Sequence, residues 1–308
     1  METYASVAQT LITHRFTDIL AWCQKPDDSH QQPKGDPQGL PSWVPDFSSP
    51  IRDPCGEPQK FGLISASGQR GVSCLPVAPG VYSPILAITG STVDTIESLG
   101  SHWAFCFDSN FKYLAAKGFF THIEELCDKS QGRPSSFLRE PDELKEAKWR
   151  ISCSDQVFTA AARRRRVSTT TMEGYHELKQ RLARYPEMGN QLQSPACQGY
   201  AIAMEYLHNR RPFISTEGYV GLVPAHSQPN DFICILYGAI VPFVLRRAIN
   251  GTFELVGEAY VYGIMDGEFL EGSPKEEIFH LRQMMGSQAS GEDFLVVHNS
   301  TTRNVPTR

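Results

Sequence analysis

Hydrophobic and polar positions alternate most regularly between Arg211 and Leu270, where short runs rich in β-branched and aromatic residues are separated by turn formers. The pattern predicts strands over Phe213–Thr216, Tyr219–Val223, Asp231–Tyr237, Val241–Arg246, Thr252–Val256 and Ala259–Ile264. Glu217-Gly218, Ser227–Asn230, Gly238-Ala239, Asn250-Gly251 and Gly257-Glu258 read as the turns between them. Asn250-Gly251 is the strongest of these signals, because both residues tolerate the positive φ of a type I′ hairpin turn.

Upstream, the period changes to that of helices. Ser6–Trp22 places Val7, Leu11, Phe16, Ile19 and Leu20 on one face. Ile123–Cys127 is helical in type, and Pro141–Trp149 begins with the acidic first turn that suits a helix dipole. Met172–Tyr185 carries Tyr175, Leu178, Leu182 and Tyr185 on one side and stops at Pro186. A further helix over Ser194–Asn209 has Ser194 as N-cap, Pro195 at its first position, and Cys197, Tyr200, Ala201, Met204 and Leu207 as its apolar face. Phe61–Ser65, Ile85–Gly90 and Thr92–Ile96 read as strands of a small sheet with loops between them. Ser273-Pro274 reads as the start of a short helix to about Met285. Residues 24–39 hold only turn formers and polar groups, which predicts a surface loop, and the tail from Gly286 reads as loosely held.

The fold class expected from these elements is α+β: a helical and mixed N-terminal part followed by a C-terminal antiparallel β-meander or small barrel. The expected units are residues 1–190, 191–286 and a tail, 287–308.

Composition narrows the picture. With 308 residues, 41% hydrophobic and 20% charged, the chain is long enough to bury a sizeable core. A net charge of −5 argues against a general nucleic-acid or anionic-membrane surface. No apolar run reaches the roughly 20 residues of a membrane span, and Met1–Ser6 lacks the character of a secretory signal. Eight cysteines without a CxxC pair read as reduced thiols in an intracellular, cytoplasmic protein, with a disulfide framework as the alternative.

Chemistry-bearing motifs are sparse. The nine histidines fall singly and no HxxxH or HExxH occurs, so no metal is expected. No GxGxxG, GxxxxGK[ST] or GxSxG occurs either, so no cofactor is expected and the hydrolase elbow is missing. Asp231 and Glu258 at strand starts, with Asp266 and Glu268 after the last strand, form a candidate catalytic set if their carboxylates converge; capping of turns is the alternative role. Arg210-Arg211 and Arg246-Arg247 could bind an anion, or pair with nearby acids. Arg163–Arg166 followed by Val167, Ser168 and three threonines could be a kinase substrate or part of a nuclear signal, with a solvated segment as the alternative. The proline-flanked Trp43-Val44 pair is expected to anchor an aromatic in the core, with ligand stacking as the alternative.

Three collinear stretches carry a resemblance: Leu40–Asp46 (LPSWVPD), Leu86–Ile96 (LAITGSTVDTI), and the block from Arg211 to Glu268. In that block the order of Thr216, Gly218, Gly221-Leu222, Pro224, Asp231, Gly238, Pro242-Phe243, Leu245-Arg246, Gly257-Glu258, Tyr260-Val261, Gly263 and Gly267-Glu268 resembles the C-terminal region of the fungal heterokaryon incompatibility (HET) family. Phe47 stands where a second Trp is common, and Asn230 where Gly precedes the Asp. Proteins of this family usually carry an N-terminal HET domain, related to TIR-like folds, with a Trp-Gly motif and a WIDALCINQ-like segment. Neither occurs here, so the chain is expected to begin after that domain, or to be a truncated product without separate activity. The resemblance implies a non-enzymatic interaction or regulatory role in non-self recognition and programmed cell death. The implied partners are other proteins, including a HET-domain protein; an enzyme using Asp231, Glu258, Asp266 and Glu268 is the competing reading.

Overall fold

In the computed structural model of the chain, residues 2–25, 40–48, 51–55, 63–74, 84–103, 109–158, 164–184, 193–248 and 251–282 are described. The helices are α1 (Glu2–Thr13), a 3-10 helix (Thr17–Trp22), α2 (Ser109–Ser130), α3 (Pro141–Ile151), α4 (Thr169–Ala183), α5 (Pro195–Glu205) and the short α6 (Glu268–Glu271). The strands are β1 (Leu86–Leu99), β2 (Gln156–Phe158), β3 (Arg164–Arg166), β4 (Arg210–Ser215), β5 (Val220–Pro224), β6 (Phe232–Leu236), β7 (Phe243–Arg247), β8 (Phe253–Glu258), β9 (Tyr260–Val261) and β10 (Glu277–Leu281). The architecture is α+β, with helices in the N-terminal part and the strands concentrated towards the C-terminus. The expected loop over 26–39, the tail from 286, and the ends of the hairpin at Asn250 and of the helix at Tyr185 lie outside the described residues.

The 14-residue β1 organises the sheet. Along one edge it pairs antiparallel with β6, from Gly90↔Leu236 to Thr95↔Phe232. Its other edge is shared: Leu86–Gly90 pairs with β10, and Ile96–Leu99 with β4. The order β1-β6-β7-β8-β10 therefore returns to β1 and closes a five-stranded ring, while β4-β5-β9 extends from the far end of β1 as a second sheet. Among the described residues each of the five strands is paired on both sides, so the ring closes.

Four expectations are corrected by this arrangement. The stretch expected to be a helix from Ser273 contains strand β10, and its burial shows why: Phe279 and Leu281 are buried while Ile278 and His280 are exposed, a period of two. The two short strands expected over 85–96 are one continuous strand in the main sheet. Gly90 interrupts nothing; it permits a close approach, since a Cβ there would lie 2.4 Å from the Ile235 carbonyl oxygen. The Gly257-Glu258 turn is instead a bulge inside β8, where Val244 pairs with Gly257 and Leu245 with Leu255, and Gly257 adopts φ 150°. Residues 63–65, the described part of the strand expected at 61–65, form no strand; Ser65 and Ala66 donate to the carbonyls of Met265 and Ile240 instead.

The single helix expected over 6–22 is split by Arg15 at φ 72°. Phe16 N–H donates to Leu11 C=O and Arg15 N–H to Ile12 C=O, the bond pair of a Schellman stop. The following 3-10 helix directs Asp18 to the backbone N–H of Ile240 at 2.9 Å. The helix starts at Pro141 and Pro195 form as expected, and Ser194 caps α5 by accepting from Cys197 N–H at 3.1 Å. Gly174 brings α4 against the start of α5: a Cβ there would lie 2.3 Å from Ala196 C=O.

Trp43 is fully buried and its indole N–H donates to Pro84 C=O at 3.3 Å, so the proline-flanked segment is a core anchor. Its neighbour Ser42 bridges the weakest seam of the ring. β8 and β10 pair only at Leu281↔Phe253, and the Ser42 hydroxyl donates to Arg282 C=O at 2.7 Å while accepting from Leu255 N–H at 2.9 Å. Replacing Ser42 with alanine leaves that buried N–H without its acceptor. An expected loss of about 1–3 kcal/mol, read as a lower urea midpoint, checks the role of the bridge.

Candidate functional site

The four carboxylates singled out in the sequence occupy three different charged clusters, each organised by arginine. Asp231 closes the turn before β6 and is only 2% exposed. Continuing the β6–β7 register by one residue places it opposite Arg246. The guanidinium grips it with two 2.8 Å bonds, Nε to Oδ1 and Nη2 to Oδ2, while Gln228 N–H donates to Oδ2 at 2.7 Å. Arg246 Nη2 also donates to His226 C=O at 3.0 Å. Asn230 holds φ 70° before the aspartate, a conformation that asparagine tolerates as glycine does.

Glu258, 3% exposed, ends β8. Its Oε1 accepts from Arg210 Nη2 and, at 2.7 Å, from Cys55 N–H; Arg210 Nη1 also donates to its carbonyl at 3.1 Å. The strand registers explain the meeting. Arg210 faces Pro224 across β4 and β5, and the β5–β9 register continued by two residues puts Glu258 opposite Pro224.

Asp266 lies in the third cluster and is exposed. Arg166 Nη2 donates to it at 2.5 Å, and the same guanidinium holds Asp155, which Arg150 grips from its other side at 2.5 Å. Glu268 belongs to the local turn, accepting from Asp266 N–H at 2.7 Å at the start of α6. Asp266 and Glu268 are thus neighbours, whereas Asp231 and Glu258 are committed to separate arginines. In the two buried pairs each carboxylate accepts from a guanidinium and from a backbone N–H. The arginines that could have bound an anion are thereby accounted for: Arg210 and Arg246 by these acids, Arg211 by two bonds to Gly100 C=O, and Arg247 by stacking over Phe232 and Phe253.

Asp155, Asp18 and His226 carry roles that the sequence did not signal. Among the described residues no group of three or more His, Cys, Asp or Glu is placed to hold a metal ion, and no helix is long and apolar enough to cross a membrane. The seven described cysteines are free thiols.

Asp18 and His226 couple the fold to pH with opposite signs. Burial pushes the Asp18 carboxyl from 3.8 up to about 6; the Ile240 N–H opposes the shift and the Glu258 charge adds to it. Its stabilising effect is complete below the unfolded value near 4 and is lost as pH rises through about 6. His226 donates from Nε2 to Val256 C=O at 3.0 Å. Burial, followed by the Lys25 charge, pushes its value down to about 3. The folded state keeps this ring neutral, so its contribution is complete above about 6.5 and is lost as pH falls towards about 3. The two slopes oppose each other between about pH 4 and pH 6. Asp18→Asn keeps the acceptor for Ile240 but cannot ionise. We expect it to gain on the order of 1–2 kcal/mol near pH 7, and to lose stability more steeply on acidification than the unsubstituted chain. Denaturant midpoints measured across this pH range check both effects.

Comparison with known proteins finds similarity over part of the chain. Residues 171–281 match the Het-6 beta-barrel domain. Four strands of the ring lie within that match and β1 lies outside it. "Heterokaryon incompatibility protein 6, OR allele" of Neurospora crassa is 26% identical over 283 aligned residues, which cover 78% of this chain and 39% of the relative. The chain thus spans about two fifths of that relative's length. No solved structure matches.

Proposed function

From the Het-6 β-barrel domain carried by residues 171–281, we propose that the chain acts in heterokaryon incompatibility as a non-enzymatic interaction or regulatory unit. It contributes to non-self recognition and the cell-death response through contact with other proteins, a HET-domain protein among them. The contact takes place in the cytoplasm after unlike hyphae fuse.

The family match carries the reading, and the state of the candidate acids favours contact over catalysis. Asp231 and Glu258 are buried in ion pairs that join strands, so their chemistry is spent on holding the sheet together. The test is to express the tagged full chain in a Neurospora host together with a HET-domain protein. Co-purification of the two and a changed incompatibility reaction are expected. A chain that neither binds nor alters the reaction overturns the proposal.

A further inference from the structure

We propose that Ser168 is a phosphorylation site for a serine/threonine kinase that selects extended, arginine-bearing segments, and that Arg165 is the residue such a kinase reads. The proposal is independent of the role in incompatibility.

The structure separates the arginines of this run. Arg164 is buried, with Nη1 donating to Gln156 Oε1 at 3.3 Å and Nη2 to Asp53 C=O at 3.2 Å. Arg166 is held by Asp155, Asp266 and the carbonyl of Leu63. Arg165 is exposed, three residues before an exposed serine. The backbone that joins them is extended: Arg164–Arg166 is strand β3, paired with β2, and Ser168 has φ −137° and ψ 179°. Kinases that favour basic substrates present carboxylates to an extended segment, and a guanidinium near the acceptor matches that surface. Thr169 and Thr170 are exposed as well, but they lie in the first turn of α4, where the backbone has left the extended form. Ser168 is therefore the acceptor that the geometry selects.

In the reaction, the Ser168 Oγ attacks the γ-phosphorus of ATP. The bond from that phosphorus to the β,γ-bridging oxygen breaks, ADP leaves, and the hydroxyl proton passes to the kinase's base. The product has a physical consequence for the fold. Ser168 is the N-cap residue of α4: its carbonyl accepts from Thr171 N–H at 2.9 Å and its own N–H donates to Thr171 Oγ1 at 3.1 Å. Phosphate oxygens at this position place a charge of about −2 beside the positive end of the helix dipole. The helix that gains this support packs closely on α5 through Gly174. Modification would thus stiffen the helix pair that leads into the second sheet.

The experiment treats the full chain with magnesium, ATP and the catalytic subunit of cAMP-dependent protein kinase, and reads intact and fragment masses. Roughly one phosphate per chain, located at Ser168, is expected. Ser168→Asn keeps a capping side chain but offers no hydroxyl, and it should take up none at this site or its neighbours. Arg165→Ala should slow incorporation by roughly tenfold or more. Circular dichroism confirms that both variants are folded. Absence of incorporation, or incorporation undiminished in the folded Ser168→Asn chain, overturns the site. An unchanged rate in Arg165→Ala overturns the recognition.

Discussion

Gly90→Ala is expected to cost about 3 kcal/mol or more, because the added methyl has nowhere to go. At this residue β1 pairs with β10 on one edge and β6 on the other, so the ring closes through it. The new Cβ would meet the Ile235 carbonyl oxygen at 2.4 Å and Leu236 Cα at 3.1 Å. Both obstacles are backbone of a strand that is itself locked between neighbours, so relief requires β1 and β6 to separate. Gly199 is the matched control. It lies within α5, and a Cβ there meets nothing within 4 Å. Gly199→Ala should gain about 0.5–1 kcal/mol from helix propensity and the smaller entropy of the unfolded chain. Urea unfolding of the two variants gives shifts of opposite sign if the ring closes at Gly90. A small loss in Gly90→Ala would contradict that closure.

Arg210→Met should cost about 3–5 kcal/mol by leaving the Glu258 carboxylate buried without its cation. The two side chains are 10% and 3% exposed, so water offers little compensation. The bond from Cys55 N–H remains, but one amide cannot replace a guanidinium. Glu258→Leu alone strands the arginine and should also destabilise. Combining the two should recover much of the loss, because a well-packed apolar pair avoids the desolvation cost of both charges. Denaturation of the single and double variants measures the coupling. Additive losses would show that the two groups do not depend on each other.

The meander was legible because its strands alternate in hydrophobicity and are punctuated by glycine, proline and asparagine. The ring was not, because closure depends on β1 and β10, and each carried a misleading local signal. Gly90 looked like a break in β1, and Ser273-Pro274 looked like a helix start. The period of two at Phe279 and Leu281 was available and pointed to a strand. The pairing of Asp231 with Arg246 could also have been found, since the β6–β7 hairpin register places them directly opposite one another. Glu258 and Arg210 meet across two strand registers, and no sequence spacing expresses that. Asp155 was out of reach for a different reason: its partners Arg150 and Arg166 come from a helix and from a separate two-stranded sheet.

The separation of contact from catalysis can be measured in the fungal host with Asp266→Asn/Glu268→Gln. These two acids lie outside the buried pairs, so the variant should fold as the unsubstituted chain does. If the chain acts through contacts, the variant changes the incompatibility reaction to the same extent as the unsubstituted chain. A folded variant that still binds the HET-domain protein but loses this effect, while the unsubstituted chain retains it, would contradict the account and assign the activity to carboxylate chemistry.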